Sequence, residues 1–206
     1  MRRGVRNPEA RGRVVEAAWR VVAAEGVHGA TMRRIATEAG VTTGFVTHYF
    51  EDKQELLAAV LRFNNLRARD RVLAAMGERR GLVALEGAVD ALLPIDADRR
   101  RVWQVWVASW RSTAGQERLN DELRDGRRFV ERLLKGLLAQ AVADGELPAT
   151  LDVAYEAEHL VTLIAGTGLI AGVESPAHVR RAAKRMLAEQ VARLERTRDE
   201  RQGIER

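Results

Sequence analysis

The residues whose types and spacing are suited to chemistry cluster in one short stretch: Thr42, Thr43, Gly44, Phe45, Thr47, His48 and Tyr49. The chemistry they suit is non-covalent reading of a nucleic acid. Threonine hydroxyls can meet phosphates or base edges, and an apolar ring such as Phe45 can meet a thymine methyl. Gly44 has no side chain, so a backbone can come close to a ligand there. Arg33 upstream and Lys53 downstream add cations suited to phosphate. Each residue alone is weak evidence, because two generic short helices in an all-α protein would carry similar side chains.

The stretch gains meaning from the elements that must position it. A helix-turn-helix needs two short helices crossing steeply, joined by a tight turn that often holds glycine. Residues 31–50 supply that pattern. Thr31 caps a helix over Met32 to Ala39, with Ile35 and Ala36 on its inner face, and Gly40 permits the positive φ that ends it. Val41 plugs the angle. A second helix follows Thr42 and ends near Tyr49, anchored by Val46 and Phe50. This leaves Thr42, Thr43, Gly44, Phe45, Thr47, His48 and Tyr49 on outward or partly outward faces, with the helix N-terminus open to phosphate. Asp52 and Glu55 then form a capping box for the next helix.

The whole chain reads as all-α, with about nine helices. Asn7 and Pro8 begin the first, which carries Val14, Ala18, Val21 and Val22 as an apolar stripe beside Trp19 and ends at Gly26. The fourth runs from Asp52 to about Met76. Later helices are predicted near 82–93, 98–114, 116–144, 151–172 and 176–197, the last begun by Ser175 and Pro176. The organisation expected is a three-helix DNA-binding domain over 1–50, a larger helical effector-binding and dimerisation domain over 51–197, and a charged, disordered tail over 198–206.

Composition narrows the function classes. There is no cysteine, which removes disulfides, thiolate metal sites and cysteine nucleophiles. The four histidines (His28, His48, His159 and His178) show no metal-ligand spacing, so no metal site is predicted. Phosphate-binding and dinucleotide-binding glycine motifs are absent, as is a nucleophile elbow around Ser109, Ser112 or Ser175. No enzyme and no cofactor are expected. Neither a signal peptide nor a membrane span is read, which points to the cytoplasm. Net charge is +5, and residues 1–50 hold eight arginines against four glutamates, so most of the excess lies beside the helix-turn-helix. The basic start, Arg2, Arg3 and Arg6, is expected to add phosphate contacts.

Trp103, Trp106 and Trp110 share one helix face at i, i+3 and i+7. That spacing fits ordinary core packing, the favoured reading, or an aromatic wall for a cation. A cationic ligand would also want a carboxylate, for which Glu158 or Glu156 is available. His159 lies near an apolar helix face and suits a hydrogen-bonded interior or interface position. Gly166, Gly168 and Gly172, with Ala165 and Ala171, form an edge of small residues that lets two helices approach closely.

Residues 31–56 resemble the tetracycline-repressor (TetR) family. The matching positions are Thr31, Ile35, Ala36, Ala39, Gly40, Val41, Gly44, Phe50, Lys53 and Leu56, with Thr42 for a usual serine. Thr47 stands where the family commonly has tyrosine. The run from Thr43 to Phe50 is similar to the betaine-pathway (BetI-like) subgroup, and Trp106 to Trp110 and His159 to Ala171 extend the likeness. The resemblance implies a transcriptional repressor that binds a palindromic double-stranded DNA operator as a homodimer. It places the dimer seam in helices 151–172 and 176–197. It also implies release by a small-molecule effector, of choline-like quaternary ammonium type, for which Trp103, Trp106, Trp110, Glu158 and His159 are the candidate contacts offered by the residues themselves. The alternatives are an activator of the same family and an all-α protein-interaction scaffold.

Overall fold

A computed structural model of the chain describes residues 7–110 and 116–202. Among the described residues there are nine helices and no strand: α1 (Pro8–Gly29), α2 (Met32–Ala39), α3 (Thr43–Tyr49), α4 (Lys53–Met76), α5 (Gly81–Leu92), α6 (Ala97–Trp110), α7 (Glu117–Ala143), α8 (Val153–Ile170) and α9 (Pro176–Gln202). The basic start (Arg2, Arg3, Arg6) and Ser112 lie outside the described residues.

Two compact units divide the chain, and they do not follow chain order. One holds the residues up to Arg67 together with Arg101–Gly126; the other holds Ala68–Arg100 and the residues from Arg127 on. The boundary expected near residue 50 therefore falls within the first unit, which also takes the N-terminal part of α4.

In the first unit, α1 starts as its sequence dictates. The Asn7 side chain accepts from the Glu9 and Ala10 N–H groups at 2.9 and 3.3 Å, and Pro8 follows. Val14, Ala18, Trp19, Val21 and Val22 are buried as the stripe requires. Gly26 leaves helical geometry at φ 73°, ψ 177° and breaks the helix where the sequence ends it, with one further short turn running to Gly29. The core of this unit adds Ile35, Val46, Phe50, Leu56, Leu61, Val105 and Leu119. At the head of α4, Asp52 accepts from the Glu55 N–H at 2.7 Å. Glu55 reaches back to the Glu51 N–H at 2.8 Å, one residue earlier than a capping box places it.

The buried apolar residues of the second unit include Ala84, Leu85, Ala88 and Leu92 of α5, Leu134, Leu138 and Ala141 of α7, Leu160 and Ile164 of α8, and Val179 and Ala183 of α9. Asp152 caps α8 by accepting from Ala154 and Tyr155 N–H. Glu156, only 4% exposed, is held by Gln190 at 3.0 Å and by the Arg193 guanidinium. Such a buried carboxylate requires a cationic partner. Helix α9 continues to Gln202, past Thr197, where the sequence predicts order to end. Its Arg- and Glu-rich end consists mainly of good helix formers, which favours continuation. No helix among the described residues is long and apolar enough to cross a membrane.

Candidate nucleic-acid interface

Local chemistry builds the turn between α2 and α3. Thr31 accepts from the Arg34 N–H at 3.1 Å and opens α2. Gly40 closes it at φ 67°, ψ 32°, a left-handed conformation that costs L side chains energy. Thr42 then caps α3, its hydroxyl oxygen accepting from the Phe45 N–H at 3.2 Å. Part of the Thr42 hydroxyl is thus committed to holding the helix, leaving its O–H free to donate.

Helix α3 has two distinct faces. Val46, Tyr49 and Phe50 are buried, while Thr43, Gly44, Thr47 and His48 are exposed and Phe45 is half-buried. The Thr47 hydroxyl donates to the Gly44 carbonyl at 3.1 Å, so its oxygen remains available as an acceptor. Tyr49 requires a correction. The sequence places it on the outward side, yet it is only 5% exposed. Residues three and four apart share a helix face, so Tyr49 falls in line with Val46 and points inward. Its ring lies 5.2 Å from that of Phe45 and 5.1 Å from that of His48, centroid to centroid. Tyr49 therefore supports two of the candidate reading residues.

The cations of α1 and α2 divide into committed and uncommitted groups. Arg34 pairs with Glu25 at 2.8 Å and with Glu38 at 3.1 Å, and Arg20 pairs with Glu38 at 3.1 Å and Glu16 at 3.3 Å. Hydrogen bonds from Arg20 and then Arg34 hold the Glu38 carboxyl below the usual carboxylate range. The same network, led by Glu25, raises Arg34. Arg33 is exposed and, among the described residues, takes no part in an ion pair. Lys53 is half-buried at the start of α4, and burial lowers its ammonium below the usual lysine range. An incoming phosphate would offset that desolvation.

The three tryptophans of α6 do come together. Trp103 meets Trp106 edge-on at 5.1 Å and Trp110 at 6.2 Å. Trp103 and Trp106 are buried, whereas Trp110 is 41% exposed. The cluster is thus mainly core, with one exposed ring. Glu158 and His159 belong to the second unit. There Glu158 is exposed and 3.7 Å from Arg127, and the half-buried His159 ring lies 6.1 Å from that of Tyr155. Sequence reasoning missed Asn64 and Asn65. Asn64 is fully buried and accepts from the Trp19 indole at 2.6 Å; Asn65 accepts from the Trp106 indole at 2.8 Å. The available signal was a pair of amides inside the otherwise apolar register of Leu56, Leu57, Val60, Leu61 and Ala68.

Comparison with known proteins bears on the family and the fold. Residues 14–60 match the family model of bacterial regulatory proteins of the tetR family, and residues 83–196 match that of the BetI-type transcriptional repressor C-terminal region. The chain is 30% identical over 162 residues to the HTH-type transcriptional regulator PksA of Bacillus subtilis, covering 77% of each chain. It is 32% identical over 142 residues to the regulator BetI of Rhizobium meliloti, covering 66% of this chain and 68% of that one. Among solved structures, a transcriptional regulator from Rhodococcus sp. superposes with a TM-score of 0.77 at 25% identity, covering 91% of this chain and 96% of that one. A putative transcriptional regulator from Saccharomonospora viridis, solved in complex with choline, superposes with a TM-score of 0.79 at 26% identity, covering 88% and 97%.

Proposed function

This chain belongs to the tetR family of bacterial regulatory proteins, with a BetI-type C-terminal region, and from that membership we propose that it represses transcription by gripping a palindromic operator as a homodimer and letting go when a small molecule binds. It is a DNA-binding regulator of the same kind as its relatives, and not an enzyme. The observation that carries the reading is the split of α3 into a buried face and an exposed face made of Thr43, Gly44, Thr47 and His48.

In this reading α3 lies in the major groove. Thr42, Thr43, Thr47 and His48 meet bases or phosphates, the half-buried Phe45 meets a thymine methyl, and Gly44 lets the backbone approach. Arg33, Lys53 and the basic start fix the register through phosphates. Two copies placing α3 about 34–36 Å apart read successive turns of a palindrome. The dimer seam is assigned to α8 and α9, supported by the exposed Tyr155, Leu169, Ile170 and Val173 on and just after α8. The DNA-reading part is residues 1–50 and the effector-binding and dimerising part is 51–197, acting on DNA in the cytoplasm.

The effector is assigned to a quaternary ammonium class. The support is the Trp103–Trp106–Trp110 cluster with its exposed Trp110 ring, and the choline held by the Saccharomonospora viridis regulator. A hundredfold release from operator requires about 2.7 kcal/mol of differential effector affinity between the two states. Selection of bound fragments from randomised duplex DNA tests the regulator reading. Recovery of a palindrome supports it; recovery of no motif rejects it. Choline titration followed by tryptophan fluorescence tests the effector class, and an unchanged signal at millimolar choline removes it.

A further inference from the structure

Two consecutive amides on α4 tie α1 to the tryptophan cluster of α6. Asn64 accepts from the Trp19 indole N–H of α1 at 2.6 Å and donates through Nδ2 to the Val102 carbonyl of α6 at 3.2 Å. Asn65 accepts from the Trp106 indole N–H of α6 at 2.8 Å and donates to the Glu122 carbonyl of α7 at 2.8 Å. All of these residues belong to the first unit.

The chemistry leaves each amide one orientation. An indole N–H can only donate and a carbonyl can only accept, so neither Asn can flip without losing both bonds. Val102 and Trp106 stand one turn apart on α6, so the two amides grip that helix at adjacent turns. Asn64 by itself spans α1 and α6, so a shift of α6 at Trp106 reaches Trp19 through the Val102 carbonyl and the Asn64 amide. The chain of contact runs from the exposed Trp110 to Trp103, Trp106, Asn65, Asn64 and Trp19. Trp19 is buried in α1, which packs on α2 of the helix-turn-helix.

We propose that Asn64 and Asn65 act together as a positioning clamp through which the α6 tryptophan cluster and α1 bias one another. The proposal rests on the regulatory reading above and adds the residues that carry its coupling. A pair of amides that merely fills the core would hold two indoles independently. A clamp makes a disturbance at Asn65 felt at Trp19.

Gly126 supplies a mild disturbance. A Cβ added there would lie 2.7 Å from Asn65 Oδ1, the far end of a flexible side chain, so Gly126→Ala turns the Asn65 amide while suiting helix α7. The experiment compares full-length wild type, Gly126→Ala and Asn65→Ala by indole N–H correlation spectra, with the four tryptophans assigned by single Trp→Phe changes. Expected in both variants is loss of the hydrogen-bonded Trp106 position together with a shift of the Trp19 resonance. Affinity for the selected operator should change by about two- to thirtyfold, the range of measured coupling effects. A moved Trp106 with an unmoved Trp19 and unchanged DNA affinity overturns the clamp. If wild type binds no duplex, the regulatory reading falls, and the Trp19 resonance alone still decides whether the two amides are coupled.

Discussion

Gly44→Ala should make the protein slightly more stable and a much poorer DNA binder. Gly44 is the second residue of α3, and a Cβ built there has Thr42 Oγ1 at 3.9 Å as its nearest neighbour, an ordinary contact. The folded chain therefore admits alanine without strain. Alanine is favoured over glycine by about 0.8–1.0 kcal/mol inside a helix. Near the end of a seven-residue helix roughly half of that is expected, about 0.5 kcal/mol. For a chain of this size that corresponds to a rise in Tm of about 1–2 °C. On the DNA side the methyl group occupies the exposed face where the backbone is proposed to approach a base pair. Losing one good base contact costs about 1–3 kcal/mol, or roughly a 5- to 150-fold weaker complex. Thermal unfolding followed by circular dichroism and anisotropy titration of the selected operator give the two numbers on one sample. Because the effects have opposite signs, damage to the fold cannot imitate the result. Wild-type operator affinity in the alanine variant would refute the assignment of this face to DNA.

The turn before it behaves differently. Gly40→Ala also meets no atom within 4 Å, but it must hold φ 67°, so a loss of roughly 1–2 kcal/mol is expected in urea unfolding, with a smaller loss for Gly40→Asn. Replacing Arg33 and Lys53 together with alanine should lower the slope of log affinity against log salt by roughly 1.8, about 0.9 per lost phosphate contact; an unchanged slope removes them from the interface. Glu38→Gln probes the ion network between α1 and α2. The folded carboxyl titrates below the unfolded one, so its stabilisation is complete above the ordinary carboxylate range and disappears as pH falls through the depressed folded value. Melting curves of wild type and Glu38→Gln should accordingly differ at neutral pH and converge in acid, and a constant gap across that range contradicts the network.

The sequence by itself determined those features that depend on neighbours three or four residues away. Asn7, Thr31 and Thr42 are caps because a short polar side chain next to a helical run finds the orphan N–H groups there. Gly40 ends α2 because the turn requires a positive φ, and the small apolar face of Ile35 and Ala36 marks the inner side of that helix. The all-α class and the family likeness follow from the same local rules. Tertiary packing decided the rest. The inward turn of Tyr49 was also open to the sequence, since it stands three residues from the anchoring Val46, but only the packed core shows that its ring is buried while His48 stays outside. Arg20 and Arg34 look as available for phosphate as Arg33 in the sequence, yet Glu38, 18 residues from Arg20, engages both of them. Asn64 looks like a surface residue until Trp19, 45 residues away, presents a buried indole N–H that needs an acceptor. Desolvation makes such distant pairings obligatory, and only the packed chain determines which groups are desolvated together.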